Sequence, residues 1–411
     1  MSKVIDRLLS GFTEPRRDML WGHIYLTPEL DAISQSEPFM KLHRILQLGP
    51  AYLCYPGASH TRAAHSFGVY HLTRRILLHL AEEGADSFLS EEGVMAMLCA
   101  ALLHDAGHFP YAHSLKELPL AEHETLSARL VQKEPLKSLI GKTGADPVFT
   151  AAIIDIQNEY GQTDEGNELA FYRKILSGAL DPDKLDYLNR DARCCGVPYG
   201  AQDVDYVISM LHPHKTEGIQ IDSRGIPSVE SILFSKYLMY RSVYWHHRVR
   251  CATAMVKKAV YLGLRDGVFA CENLYGLDDA GLFALLAPDK HPAFALAQKA
   301  REGRLFQLPR GNIQSEARFS AARHGACVNI EQRAEEEARI AALYSQQTGR
   351  KIGELQVVID IPEEVIFETG LHVIDENCSF NNSSSVFRDS ITSSFAGSLR
   401  MVRVYIEDFA S

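Results

Sequence analysis

Residues 102–113 read LLHDAGHFPYAH and close an apolar run that begins at Val94. Val94, Met97, Leu98 and Ala101 recur every three or four positions, which predicts a helix whose buried stripe leads directly to His104 and Asp105. His104 and His108 are four apart and share one helical side, while Gly107 and Pro110 break the helix so that His113 can fold back over it. Three imidazoles and a carboxylate then converge at the end of a buried face. Consecutive His and Asp can ligate one ion, because the long imidazole and the short carboxylate compensate for their separation of about 100° around a helix. A five-coordinate or octahedral ion would still need ligands from elsewhere in the chain.

Upstream lies PGASHTRAAHSFGVYHL (56–72), where Arg62 and His65 are three apart at a helix start. A guanidinium beside a candidate ligand suits a metal-bound phosphate, and by spacing alone His60 and His71 are alternatives to His65. Downstream, LDPDKLDYLNRDA (180–192) offers Asp181 as N-cap and Pro182 as first helical residue. Asp183, Tyr187 and Asp191 then recur every four residues on one face; a solvated acidic face partnered by Lys184 and Arg190 would show the same spacing. In AEHETL (121–126), His123 and Glu124 offer an acid–base group or an imidazole with an orienting carboxylate. The pairs His246 with His247 and His212 with His214 read as structural or surface residues.

The rest of the chain restricts the function classes. Its 411 residues carry 42 basic and 52 acidic side chains, a net charge of −10, and 46% hydrophobic residues, which describes a globular protein and excludes disorder, collagen and a disulfide-stapled miniprotein. An acidic balance does not indicate nucleic-acid binding by charge, although a local basic groove is compatible with it. The longest apolar run, Val94 to Leu103, is too short to span a bilayer, and the N-terminus lacks a signal-peptide pattern, so a cytoplasmic protein without membrane contact is expected. The 8 cysteines (Cys54, Cys99, Cys194, Cys195, Cys251, Cys271, Cys327, Cys378) include no CxxC and are expected to be reduced packing residues.

Helical periodicity dominates the first two thirds, including 65–83, 94–105 and 228–262. Three regions are expected: an all-α core (1–265), a connecting helical or irregular region (266–330) and a small α/β region (331–411). In the last, the charged helix 331–348 is expected to cover a sheet built from 356–361, 364–368, 371–375 and 399–408, and the Ser- and Asn-rich stretch 377–398 to be a loop.

Taken in order, His65, His104-Asp105 and Asp183 resemble the H…HD…D signature of the HD-domain metal-dependent phosphohydrolases. The words QLGPAYLCYPGASHTRAAHSFGVYHL (47–72), CAALLHDAGHFPYAH (99–113) and LDPDKLDYLNRDA (180–192) are similar to the branch that holds bacterial deoxynucleoside triphosphate triphosphohydrolases and the vertebrate sterile-alpha-motif HD-domain enzyme. The resemblance covers roughly residues 15–260 and implies a mainly α protein, an all-helical HD core with a small α/β C-terminal region. It implies that His65, His104, Asp105 and Asp183 hold one divalent ion (Mg, Mn, Fe, Co, Ni or Zn) and that Arg62 and Lys184 contact substrate phosphates. It further places His108, His113, His123 and Glu124 among the catalytic groups. Gln47 and Asp191 would read a 3′-hydroxyl, and Leu48 and Tyr187 would line the ribose.

The implied activity is cleavage of dNTPs at the α-phosphorus to deoxynucleoside and triphosphate by a homo-oligomer, a dimer or tetramer. Alternatives are an HD phosphohydrolase acting on a nucleoside monophosphate or second messenger, a catalytically silent nucleotide-binding regulator, and a di-iron oxygenase using His108 and His123. The sequence departs from the family at Lys116, followed by Glu117, where relatives often carry a carboxylate, and at Ala63-Ala64, where an aromatic-acidic pair is usual. A terminal-phosphate arginine has no clean match, with Lys236, Arg241 and Arg248 as candidates. Gln35, Met40 and His43 replace the residues that bind an activating guanine nucleotide, so that activation is expected to be absent or differently built.

Overall fold

The computed structural model describes residues 2–157, 168–309, 315–367, 369–384 and 386–407. It is mainly helical, as the sequence predicts. The Glu91–Leu103 helix is the axis of the main core: Ser90 caps it by accepting from Gly93 N at 2.9 Å, and every residue from Gly93 to Leu103 is buried. The expected single stripe is therefore a helix buried on all sides, which accounts for the absence of polar residues between Val94 and Leu103. Arg62–Glu82 and Pro147–Ile154 pack against it, and Pro182–Cys195 lies along Arg62–Glu82. Asp181 caps Pro182–Cys195, its carboxylate accepting from Lys184 N at 2.6 Å, as the sequence predicts.

Two antiparallel hairpins decorate this core, Glu14–Asp18 with Gly22–Leu26 and Leu211–His214 with Gly218–Ile221, where only helices were expected. The periodicity of 228–262 is not one helix. Ile226–Met239 runs into a π-turn at Tyr240–Tyr244, closed by Trp245 N to Tyr240 O at 2.9 Å, and a new helix starts at His247 and ends at Arg265. The added residue rotates everything after it, a feature that recurs at functional sites.

A second core gathers around His247–Arg265. Phe294 and Ala297 pack on it from one side, Phe109 and Leu115 from another, and Val358 and Tyr405 from the C-terminal sheet. That sheet has the order Glu316–Arg318, Met401–Ile406, Val357–Asp360, all antiparallel. The Ile330–Thr348 helix covers it through Ile340 and Ala341. Three expectations change here. Residues 364–367 form no strand. His372–Val373 pairs not with this sheet but in parallel with Gly218–Ile221. The supposed loop 377–398 holds the short strand Cys378–Ser379 and the helices Phe380–Ser383 and Asp389–Leu399. Phe380, Phe387 and Leu399 are buried in the main core, so tertiary burial overrides the weak helix propensity of Ser and Asn. Packing also crosses the expected boundary at 331, since Glu316–Arg318 is an edge of the C-terminal sheet. Among the described residues, no helix is long and apolar enough to cross a membrane.

Candidate metal centre and adjoining pocket

The core helix ends at Leu103, and His104 turns its ring back so that Nδ1 lies 2.9 Å from Ala101 O. That contact places the proton on Nδ1 and the lone pair on Nε2, which is buried without a hydrogen-bond partner. Facing it, His65 Nε2 lies 2.8 Å from Asp183 Oδ1, and its Nδ1 lies 2.8 Å from Asp186 Oδ2. Asp183 Oδ1 is 3.9 Å and Asp105 Oδ1 3.6 Å from His104 Nε2. His65, His104 and Asp183 each offer a ligand atom within 4.8 Å of the others. An orphaned imidazole nitrogen and a second imidazole oriented from behind by a carboxylate are what a divalent ion needs. The donor set fits one.

Electrostatics agree with the geometry. Burial disfavours a charged His65, but the hydrogen bonds to Asp183 and Asp186 outweigh it and lift the ring to about 10, so this is a place that holds positive charge. Burial works against the Asp105 carboxylate too, yet Arg62, whose Nη1 is 2.6 Å from Oδ2, and then the surrounding imidazoles hold it well below the ordinary range. Arg62 Nε is itself buried without a partner.

The second group is the trio expected to fold over the site. His108 Nε2 is 3.2 Å from His113 Nε2, and the His108 and His123 rings lie 4.1 Å apart between centroids. Asp105 Oδ1 is 3.7 Å from Nε2 of both His108 and His123, so one carboxylate joins the two groups. Glu124 Oε2 sits 3.1 Å from His123 Nδ1. Burial and then Arg62 push His108 well below its ordinary value; His113, exposed at the opening of the site, is lowered by the groups crowded around it and by Arg62; burial and then His113 lower His123.

Local chemistry builds this turn. A Cβ at Gly107 would stand 2.3 Å from Ser127 N, so only glycine lets the loop pass the His123–Val131 helix. Ser127 Oγ accepts from Gly107 N at 2.8 Å and donates to His104 O at 2.6 Å. Lys41, buried, donates to Ala106 O at 3.0 Å and His108 O at 2.7 Å. Tyr111, at φ +63°, supplies the reversal that returns His113.

Along the Pro182–Cys195 helix, Asp183, Tyr187 and Asp191 share a face, from the partly exposed Asp183 beside His65 to the buried Asp191. Asp191 is held by His60 Nε2 at 2.8 Å and Tyr244 Oη at 2.7 Å. Tyr187 lies 6.5 Å from Tyr244 between centroids, and Leu48 is partly buried against the core. Gln47 Oε1 is buried and unpartnered. Of the three histidines open on spacing, the structure brings His65 to His104, ties His60 to Asp191 and stacks His71 on Trp21. Lys184 turns back to Asp181 Oδ2 at 2.6 Å and Gly178 O at 2.9 Å. Lys236 donates to Ile366 O at 2.7 Å, and Arg241 is exposed.

Sequence reasoning missed Asp186, Tyr244 and Lys41. Asp186 accepts from Arg190 Nε at 2.8 Å, Arg190 Nη2 at 2.9 Å and Trp21 Nε1 at 2.6 Å besides meeting His65, and a Cβ at Gly68 would lie 1.8 Å from its Oδ1. The i, i+4 spacing of Asp186 and Arg190 was the available signal. Tyr244 left none, because the π-turn sets its direction.

His60 yields a pH prediction. Burial opposes its charge, but the hydrogen bond from Nε2 to the Asp191 carboxylate, with Cys194 nearby, raises it to about 9. A folded value above the unfolded one stabilises fully below about pH 6.5, and that contribution disappears as pH rises through about 9. Denaturant titrations are expected to show a loss of up to about 3 kcal/mol across that window, absent in His60→Gln. Equal slopes in both proteins would remove His60 as the cause.

Comparison with known proteins agrees with the geometry. Residues 62–163 match the HD domain family and residues 203–388 the HD associated region. An uncharacterized protein of Methanocaldococcus jannaschii is 32% identical over 273 residues, 66% of this chain and 54% of the relative, so the chain spans about half the length of such curated relatives. Deoxynucleoside triphosphate triphosphohydrolase SAMHD1 of Danio rerio is 30% identical over 224 residues, 47% of this chain and 36% of that protein. The crystal structure of a phosphohydrolase from Bacteroides thetaiotaomicron superposes with a TM-score of 0.73 over 97% of this chain and all of its own, at 22% identity, which shows a shared fold. With its HD motif at the end of the core helix, a His/Asp cluster able to hold a divalent ion, and family matches that together take in residues 62–163 and 203–388, the chain belongs to the HD-domain superfamily.

Proposed function

We propose that the protein hydrolyses dNTPs at the α-phosphorus, releasing deoxynucleoside and inorganic triphosphate. The observation that carries this reading is that Asp183 and Asp191 stand on one helix face eight residues apart. That is about 12 Å, a span that accommodates a metal-held α-phosphate, a ribose and one hydrogen bond. Gln47 Oε1, buried without a donor among the described residues, and Asp191, braced by His60 and Tyr244, would accept from a sugar hydroxyl. The likeness to SAMHD1 supports a nucleotide substrate.

His65, His104, Asp105 and Asp183 would hold the ion, which supplies Lewis-acid polarisation of a phosphoryl oxygen and of water. Arg62, with Nε free of partners among the described residues, neutralises charge on the equatorial phosphoryl oxygens. The negative charge of a bound triphosphate would raise His113 from its lowered value, so that the protonated ring donates to the departing 5′-oxygen, and His123, backed by Glu124, orients the imidazole trio. Lys184, engaged with Asp181, reaches phosphate only by exchanging that partner. The His113→Ala protein is expected to bind metal normally and to lose about a hundredfold in kcat; near-wild-type turnover would remove His113 as the acid.

The deciding experiment incubates metal-loaded protein with each dNTP and the matching NTP and resolves the products by phosphorus NMR. Deoxynucleoside with triphosphate supports the reading. Pyrophosphate or phosphate moves cleavage to another bond, and no turnover of any triphosphate moves the substrate to a shorter nucleotide phosphoester.

A further inference from the structure

The segment that carries His113 does not rest on the helical core that supplies the metal ligands. Phe109, Ala112, Leu115 and Leu118 are buried in the second core, against Met255 of the His247–Arg265 helix and Tyr405 of the C-terminal sheet. Four residues beyond His113, Glu117 enters the same region, and its carboxylate is clamped from two sides. Lys257, on the His247–Arg265 helix, forms an ion pair with Oε1. Arg333, on the Ile330–Thr348 helix, closes a fork on it, with Nη1 at 3.1 Å from Oε1 and Nη2 at 2.5 Å from Oε2. The Lys257 and Arg333 side chains are each 5% exposed and that of Glu117 17%.

Arg333 is fixed in turn, because Nε donates to Cys327 O at 2.7 Å and Nη2 to Val328 O at 3.1 Å. Burial pushes the Glu117 carboxyl up, but the two cations overcome it and keep it ionised, so the clamp is charge-assisted and directional. Lys116 lies on the other side of the loop, 3.0 Å from Glu122 Oε2, at the N-cap of the helix that carries His123 and Glu124.

We propose that Glu117 is a positioning residue for the reaction: pinned by Arg333 and Lys257, it sets the height of the 109–118 loop and hence the place of His113 over the metal centre. The C-terminal region thereby becomes part of the catalytic apparatus, and a displacement of the Ile330–Thr348 helix is transmitted to His113 through one carboxylate. The catalytic side of this inference rests on the proposed role of His113; the mechanical side does not.

A natural control lies on the same interface. Lys258 and Glu337 join the same two helices through an ion pair at 2.5 Å, and Lys258 Nζ also reaches Glu354 O and Val357 O, partners that all lie outside the His113 loop. Loss of Glu337 loosens the interface in general, whereas loss of the Glu117 clamp loosens it at the loop.

The test compares metal-loaded full-length wild type, Glu117→Gln, Arg333→Gln and Glu337→Gln well below their melting temperatures. Arg333→Gln removes one arm while leaving the Glu117–Lys257 pair, so it covers the case in which Glu117→Gln does not fold. Both clamp variants are expected to lose about tenfold to a hundredfold in kcat with KM and metal content unchanged, as misplacement of a reacting group by about 1 Å costs. Their amides from 109 to 118 should exchange at least tenfold faster, while Glu337→Gln keeps wild-type kcat and loop exchange. Equal kcat losses in all three variants, or clamp variants with unchanged loop exchange, would overturn the proposal. If the wild type turns over no dNTP, the proposed function fails, and loop exchange alone still decides whether Glu117 holds the loop.

Discussion

His104→Ala is expected to leave the protein folded, free of its divalent ion and reduced in nucleotide turnover by about 10³-fold or more, the equivalent of several kcal/mol of charge stabilisation. The fold survives because the ring makes one hydrogen bond, to Ala101 O, and its Nε2 makes none among the described residues. Asp105→Ala should give the same loss of metal and turnover by a costlier route. Arg62 Nη1 rests on Asp105 Oδ2, with the two side chains 8% and 4% exposed, and removal of the carboxylate strands a buried guanidinium at a cost of about 3–5 kcal/mol. Metal analysis, product assay and denaturant melts on the two variants separate ligand loss from unfolding. A His104→Ala protein that retains a full equivalent of metal would eliminate His104 as a ligand.

The second large effect is expected behind the metal. Asp186 orients His65, and its side chain is fully buried among His65, Arg190 and Trp21. Asp186→Ala should cost about 3–5 kcal/mol, because Arg190, 1% exposed, keeps only Asp18 at 2.8 Å. It should also weaken metal binding by about 10- to 100-fold through loss of the carboxylate that fixes the imidazole. A double variant distinguishes the two roles. Asp186→Ala with Arg190→Met removes the stranded charge and should recover much of the stability while metal affinity stays low. Recovery of affinity together with stability would mean that Asp186 serves packing alone.

Much of the site was legible because its residues recur at helical spacing. His104-Asp105 at the end of an apolar run, Arg62 with His65 at a helix start, and Asp183 with Tyr187 and Asp191 at four-residue intervals each follow from the geometry of a single helix. The 331–348 helix and the flanking strands at 357–360 and 401–406 were readable for the same reason, since one burial pattern spans each element. The Ser-rich 389–399 helix was not. Its local propensity favours a loop, and neighbouring burial of Phe387 and Leu399 in a core made by distant residues decides otherwise.

By itself, then, the sequence determined a mainly helical HD core, the end of the buried helix where His104 and Asp105 stand, and the faces that carry their candidate partners. Those are consequences of a fixed helical period acting over a dozen residues. Tertiary structure decided which of His60, His65 and His71 faces His104, how Asp186 stands behind the metal centre, how the π-turn delivers Tyr244 to Asp191, and how Glu117 is clamped from helices more than a hundred residues away. Each of these depends on where separate helices lie relative to one another. That placement is set by the sum of all buried contacts, and no local window of the chain contains it.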